Sequence, residues 1–140
     1  MKVNNYSKFV VEKVVSIAKY LFHLSNILLI IFYLYPGSIL GCLIYDDCKT
    51  QPQLTGDFIV SSNHVYVFIV ISFLGFVTYQ NKNSFMWIII YLFFISVFLE
   101  LSHKFIPERG FEMKDLAGNI IGVVISLAIF LIIKLRKKNE

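Results

Sequence analysis

Four long apolar blocks separated by short polar stretches dominate the chain, at residues 18–35, 63–79, 85–101 and 116–133. A helix that crosses a bilayer needs about 20 mostly apolar residues, within a range of roughly 17–25, and each block falls in or near that range. Pro36 and Gly37 stop the first block, or kink it before a short apolar stretch at residues 38–45. The Val and Ile content would favour strands in water. Lipid admits only helices or closed barrels, and four spans are too few for a barrel. The pattern therefore predicts an all-α polytopic membrane protein with four transmembrane helices. Residues 1–17 are expected to form an N-terminal arm, 18–134 the membrane domain and 135–140 a basic tail. The first block has no small-residue cleavage site after it and is read as a retained span, not a cleaved leader.

Composition agrees with that reading. The 140 residues are 57% hydrophobic and 16% charged, with 14 Phe and 8 Tyr, and the mean hydropathy is +0.71. Soluble domains carry about 25% charged residues, and disordered chains carry more charge and less apolar mass. Charge then orients the spans. The N-terminal flank up to Lys19, the loop between the second and third blocks and the C-terminal flank from Lys134 together hold nine of the 13 Lys and Arg. Seven of the nine acidic residues lie on the other side, in or beside residues 36–62 and 102–115. The positive-inside rule places both termini in the cytoplasm and those two loops outside. The net charge of +4 points to anionic lipid headgroups. Nucleic acid is not an expected partner, because the aromatics lie in the spans.

The alternating directions of the spans bring several polar residues to one depth, near the outer end. These are His64 at the start of the second span, Glu100 and His103 at the end of the third, and Asp115 and Asn119 at the start of the fourth. Ionisable groups inside a membrane are expensive and are candidates for function by default. Glu100 follows six residues without a charge, so burial is expected to favour its protonated form unless a cation is near, with Arg109, His64 and His103 as candidates. His64, Glu100 and Asp115 are the candidate catalytic residues. Against that stand blander roles: Asp115 as a helix cap, His64 as a half-wet interfacial side chain. Arg109, between Pro107 and Gly110, suits a carboxylate or phosphate, or a pairing with Glu108 or Glu112. Gly118, Gly122 and Ser126 form a small-residue strip that lets another helix approach, in this chain or in a second copy. His64, Glu100, His103 and Asp115 have the chemistry to hold Zn²⁺, but no strict metal motif is present, and the expectation is no metal and no cofactor. Cys42 and Cys48 fit neither a disulfide framework nor a zinc spacing, and whether they pair depends on the compartment their loop faces.

Glu100-Leu-Ser-His103, Pro107-Glu-Arg109 and Asp115-Leu-Ala-Gly-Asn119-Ile-Ile-Gly122, with Ser61-Ser-Asn-His64 upstream, resemble the VanZ-like family pattern E-x-x-Q, P-x-R, D-x-x-x-N-x-x-G. His103 stands where many members have Gln, and the lysine often found before the family's histidine is absent. The resemblance implies a small protein of the bacterial cytoplasmic membrane. It also implies that His64, Glu100, Pro107, Arg109, Asp115, Asn119 and Gly122 are the matching positions. The namesake is linked to low-level teicoplanin resistance. Two functions follow as expectations. The first is binding of a lipid-linked or lipopeptide envelope ligand at an outward polar cluster of Arg109, His64, Glu100, His103, Asp115 and Asn119. The second is an enzyme acting on an envelope lipid by His/Glu acid–base or metal chemistry. Association into a homo-oligomer through the small-residue strip is a further expectation.

Overall fold

The computed structural model describes residues 5–139, and every regular element among them is helical. The first residues of the expected N-terminal arm, Lys2 included, and Glu140 at the end of the tail lie outside the described residues. Helix α1 runs Asn5–Leu34, α2 Ile39–Tyr45, α3 Ser62–Thr78, α4 Lys82–Ser102 and α5 Met113–Asn139. A single 3₁₀ turn, His103–Phe105, follows α4. Each apolar block falls on one of the four long helices, the first and second running one residue past the ends of α1 and α3. Within α1, α4 and α5 the stretches Lys8–Leu34, Asn83–Phe105 and Met113–Asn139 are long and apolar enough to cross a membrane; α3 is apolar but has 17 residues. At 1.5 Å per residue α3 is about 25 Å long, against a hydrocarbon core of about 30 Å.

Local sequence explains the ends. Pro36 and Gly37, the latter at φ 84°, break the chain away from α1. Ser38 then caps α2, its hydroxyl accepting the Gly41 amide at 3.0 Å. Cys42 and Cys48 form a disulfide that closes the loop after α2. The Asp57 carboxylate accepts the Ser62 amide at 2.9 Å and so caps α3 from outside the helix.

Polarity is inverted relative to a soluble protein. Tyr20, Leu24, Ile27, Trp87, Phe94 and Leu135 are exposed, whereas Ser72, Ser96, Glu100, Asn119 and Ser126 have no exposure at all. Only 22% to 33% of the most apolar part of each of the three spanning stretches is buried, so most of its apolar surface is left for lipid. Phe68, Phe76, Leu92 and Val123 form the apolar centre. The closest pairing is α3 against α5. A Cβ on Gly118 would lie 2.8 Å from the Ser61 carbonyl oxygen, and one on Gly122 would lie 2.6 Å from that of Val65. The small-residue strip is thus filled by α3 of the same chain, and Ser126 continues it as a buried residue. Successive long helices alternate in direction. The C-termini of α1 and α4 therefore meet the N-termini of α3 and α5 at one end.

Candidate functional site

The site begins with a deficit in α1. The carbonyl of residue i in a helix accepts the amide of residue i+4. For Phe32 that residue is Pro36, which has no N–H. Arg109 supplies the missing donor, its Nη2 donating to the Phe32 carbonyl at 2.8 Å and its Nε to the Tyr35 carbonyl at 3.3 Å. The Tyr33 carbonyl accepts from His103 Nε2 at 3.1 Å. The loop after α4 aims these groups. Glu108 turns the chain at φ 60°, and the Arg109 amide donates to the Ile106 carbonyl at 3.2 Å. Burial pulls the Arg109 pKa below its ordinary value, while Tyr33, Glu100 and Asp115 act in the opposite sense; the guanidinium stays charged. It has five N–H donors, and two of them hold α1.

Beneath it lies a polar knot. Asn119 Nδ2 donates to the Ser96 carbonyl at 3.1 Å, which fixes Asn119 Oδ1 as an acceptor. The Tyr33 hydroxyl donates to that oxygen at 2.9 Å, and His64 Nδ1 lies 2.9 Å from it. His64 Nδ1 therefore carries the proton, and in the neutral ring Nε2 keeps the lone pair. That nitrogen lies 3.6 Å from Asp115 Oδ2. Glu100 Oε1 accepts the Glu112 amide at 3.2 Å. Its other oxygen, Oε2, is 3.4 Å from His103 Nδ1 and 3.9 Å from His64 Nδ1, and it has no hydrogen-bond partner.

Over residues 4–134, nearly all its length, the chain matches the model of the VanZ/LLP1 family. It belongs to that family. No curated protein and no solved structure matches it.

In this VanZ/LLP1 protein the sequence-expected residues His64, Glu100, His103, Asp115 and Asn119 converge at one end of the bundle. Arg109 stands beside them. The acids once open as its partners go elsewhere, Glu108 to Lys49 at 3.7 Å and Glu112 to Lys114 at 3.1 Å. Of the cations proposed for Glu100, His103 and His64 are the neighbours. Sequence reasoning missed Tyr33, which links His64 to Asn119 and stacks on His103 at 5.5 Å. Its only signal was its place at the end of the first span, where an interfacial tyrosine is commonplace.

Two cavities open onto this knot. One, of about 310 Å³, has Tyr33, His64 and Arg109 at its polar end and Phe32, Leu54 and Val67 among its apolar walls. It shares Phe32, Tyr33, Leu54 and Val67 with a groove of about 350 Å³ that continues between α1 and α3 past Leu28 and Val70. A polar cavity of about 190 Å³ lies between Lys49, His103, Arg109 and Asp115.

Proposed function

We propose that this VanZ/LLP1 protein is a four-span protein of the bacterial cytoplasmic membrane that binds a lipid-linked or lipopeptide envelope ligand at its outward-facing polar end. The observation that carries this reading is the continuity between the Arg109–His64 cavity and the apolar groove between α1 and α3. An amphiphile fits both parts, with an anionic head at Arg109 and a chain along Leu28 and Val70. A freely soluble ligand would leave the groove unused. Three N–H donors of Arg109 remain for the head group.

Orientation is part of the same proposal. Eight basic residues among those described flank the opposite end, and the disulfide beside the cavity belongs to an oxidising compartment. Both observations support a site outside and both termini in the cytoplasm. A contribution to glycopeptide resistance is the biological form of this proposal, since teicoplanin is an amphiphile of this kind. The test is susceptibility of a Gram-positive host expressing wild type or Glu100→Gln at matched membrane levels. Protection by wild type and none by the variant supports the reading; no protection by wild type refutes the resistance part of it.

A second reading, an enzyme acting on an envelope lipid, draws on one observation. His64 is oriented by Asn119 through Nδ1 and faces Asp115 through Nε2, the arrangement of a positioned general base. Turnover of an envelope lipid by purified protein would favour it.

A further inference from the structure

We infer that His64, Glu100 and Asp115 form a site for one divalent transition-metal ion, with a coordination position open to the cavities at the polar end. The inference goes beyond ligand binding and stands whether or not an amphiphile occupies the groove. One nitrogen of His64 and one oxygen from each carboxylate lie within 4.8 Å of one another. Around a tetrahedral ion with bonds of about 2.0–2.2 Å, ligand atoms stand about 3.3 Å apart. His64 Nε2 and Asp115 Oδ2, at 3.6 Å, are already close to that spacing.

The hydrogen bonds require positive charge here. His64 gives its Nδ1 proton to Asn119 and presents the Nε2 lone pair to Asp115. His103 gives its Nε2 proton to the Tyr33 carbonyl and turns Nδ1 toward Glu100 Oε2 at 3.4 Å. With both rings neutral, a lone pair faces a carboxylate oxygen in each case; a second proton on the ring or a bound ion supplies the missing positive charge. Glu100 Oε2 has no exposure and no hydrogen-bond partner, although its twin oxygen has one. A buried anionic oxygen without a partner is costly. An ion at this point supplies the partner and relieves the confrontation at His64. His64 also has the surroundings of a metal ligand, since ligating histidines donate their second N–H to a carbonyl or carboxylate oxygen, here that of Asn119.

The donor set narrows the class of ion. Imidazole with two carboxylates suits Zn²⁺ and its neighbours, whereas Ca²⁺ and Mg²⁺ want six or more oxygens. Both cysteines are tied in the disulfide, so thiolates do not compete for metal. Three protein ligands leave a fourth position, and the cavities lined by His64 and Asp115 give water or an anionic group access to it.

The test uses full-length protein in lipid nanodiscs, stripped with chelator and titrated with Co²⁺ and then Zn²⁺. About one equivalent of Co²⁺ should bind, with visible absorption from nitrogen–oxygen coordination, and Zn²⁺ should displace it. Asp115→Asn should weaken binding at least about 100-fold, and Tyr33→Phe, which removes a hydrogen bond from the partner that orients His64, about tenfold. Glu12→Gln, far from the site, should bind as wild type does. Asp115 is partly exposed, so its variant should keep the wild-type helical circular dichroism even if Glu100→Gln does not fold. The inference is overturned by an absence of stoichiometric metal, or by unchanged affinity in Asp115→Asn. It is equally overturned by an infrared band of a protonated carboxyl that persists at saturating Zn²⁺ and vanishes in Glu100→Gln, because a proton would then hold the place assigned to the ion.

Discussion

If Arg109 is held by the carbonyl that Pro36 leaves unpaired, restoring the missing amide should make Arg109 less important to the fold. Pro36→Ala supplies an N–H that can reach the Phe32 carbonyl, and Gly37, already at φ 84°, can end a helix lengthened by one residue. In wild type the Nη2 bond at 2.8 Å is charge-assisted, and such bonds contribute about 1.5–3 kcal/mol. The Nε bond at 3.3 Å is longer and weaker. Arg109→Ala should therefore cost about 2–3 kcal/mol in the wild-type background, since it removes both bonds to the end of α1 at once. In the Pro36→Ala background the same change should cost only about 1 kcal/mol, because the backbone satisfies that carbonyl. The coupling is then about 1–2 kcal/mol, well above the additivity error of about 0.3–0.5 kcal/mol. Reversible unfolding of the four proteins in mixed micelles, followed by circular dichroism, measures all corners of the cycle. Additive costs would show that Arg109 does not act through this carbonyl.

Gly122→Ala forces α3 and α5 apart by roughly 0.8 Å, the gap between a 2.6 Å approach to the Val65 carbonyl and an ordinary 3.4 Å contact. It should lose about 1–2 kcal/mol net of a helix-propensity gain of about 1 kcal/mol, while Gly110→Ala, with nothing within 4 Å, should not; the same micelle unfolding reads both. Reduction of Cys42–Cys48, which are six residues apart, should cost about 2 kcal/mol by loop entropy. Hydrogen exchange should place the loosening at residues 36–50 and leave α3 and α5 protected. Asp47 accepts the Thr50 hydroxyl and the Lys49 amide, which hold its carboxyl below the ordinary 3.8. A depressed carboxylate contributes its full stability above 3.8 and loses it as pH falls through the lower folded value. The Lys49 amide resonance should therefore hold its position down to about pH 4 and move only in stronger acid.

The long helices were legible because lipid makes the problem one-dimensional: block length and polarity decide which segments become helices. The block at residues 63–79 became α3 with a shift of one residue at each end. Helix α1 is the largest departure, since it begins at Asn5 although the apolar block begins near residue 18. Hydropathy reports the part of a helix that suits lipid, not the turns that continue past it. The depth of His64, Glu100 and Asp115 was also legible from alternating span directions. The neighbours of Glu100, His64 and His103, were among the candidates as well, whereas the backbone partners of Arg109 were not legible. Arg109 bonds to carbonyls 74 and 77 residues away, and backbone acceptors leave no mark on side-chain patterns. Tyr33 was hidden by resembling a belt residue, and the disulfide by the two cysteines matching no spacing rule.

The small-residue strip on α5 has a consequence for the site that packing alone does not convey. Gly118 lets α5 approach until a Cβ at that position would lie 3.1 Å from His64 Cβ. Its neighbour Asn119 and Asp115, one turn earlier, consequently reach opposite nitrogens of the same imidazole. A Cβ at residue 118 would separate the two helices and open both contacts together. The polar groups also sit close to the helix ends: His64 is in the first turn of α3, Asp115 in the first turn of α5 and Glu100 in the last turn of α4. Placed at mid-span, the same residues would be sealed by Phe68, Leu92 and Val123. At the ends they are buried against one another yet only one layer below the cavities that contain Arg109. Close packing therefore fixes the geometry of the cluster, and its position along the helices leaves His64 and Asp115 lining the cavities.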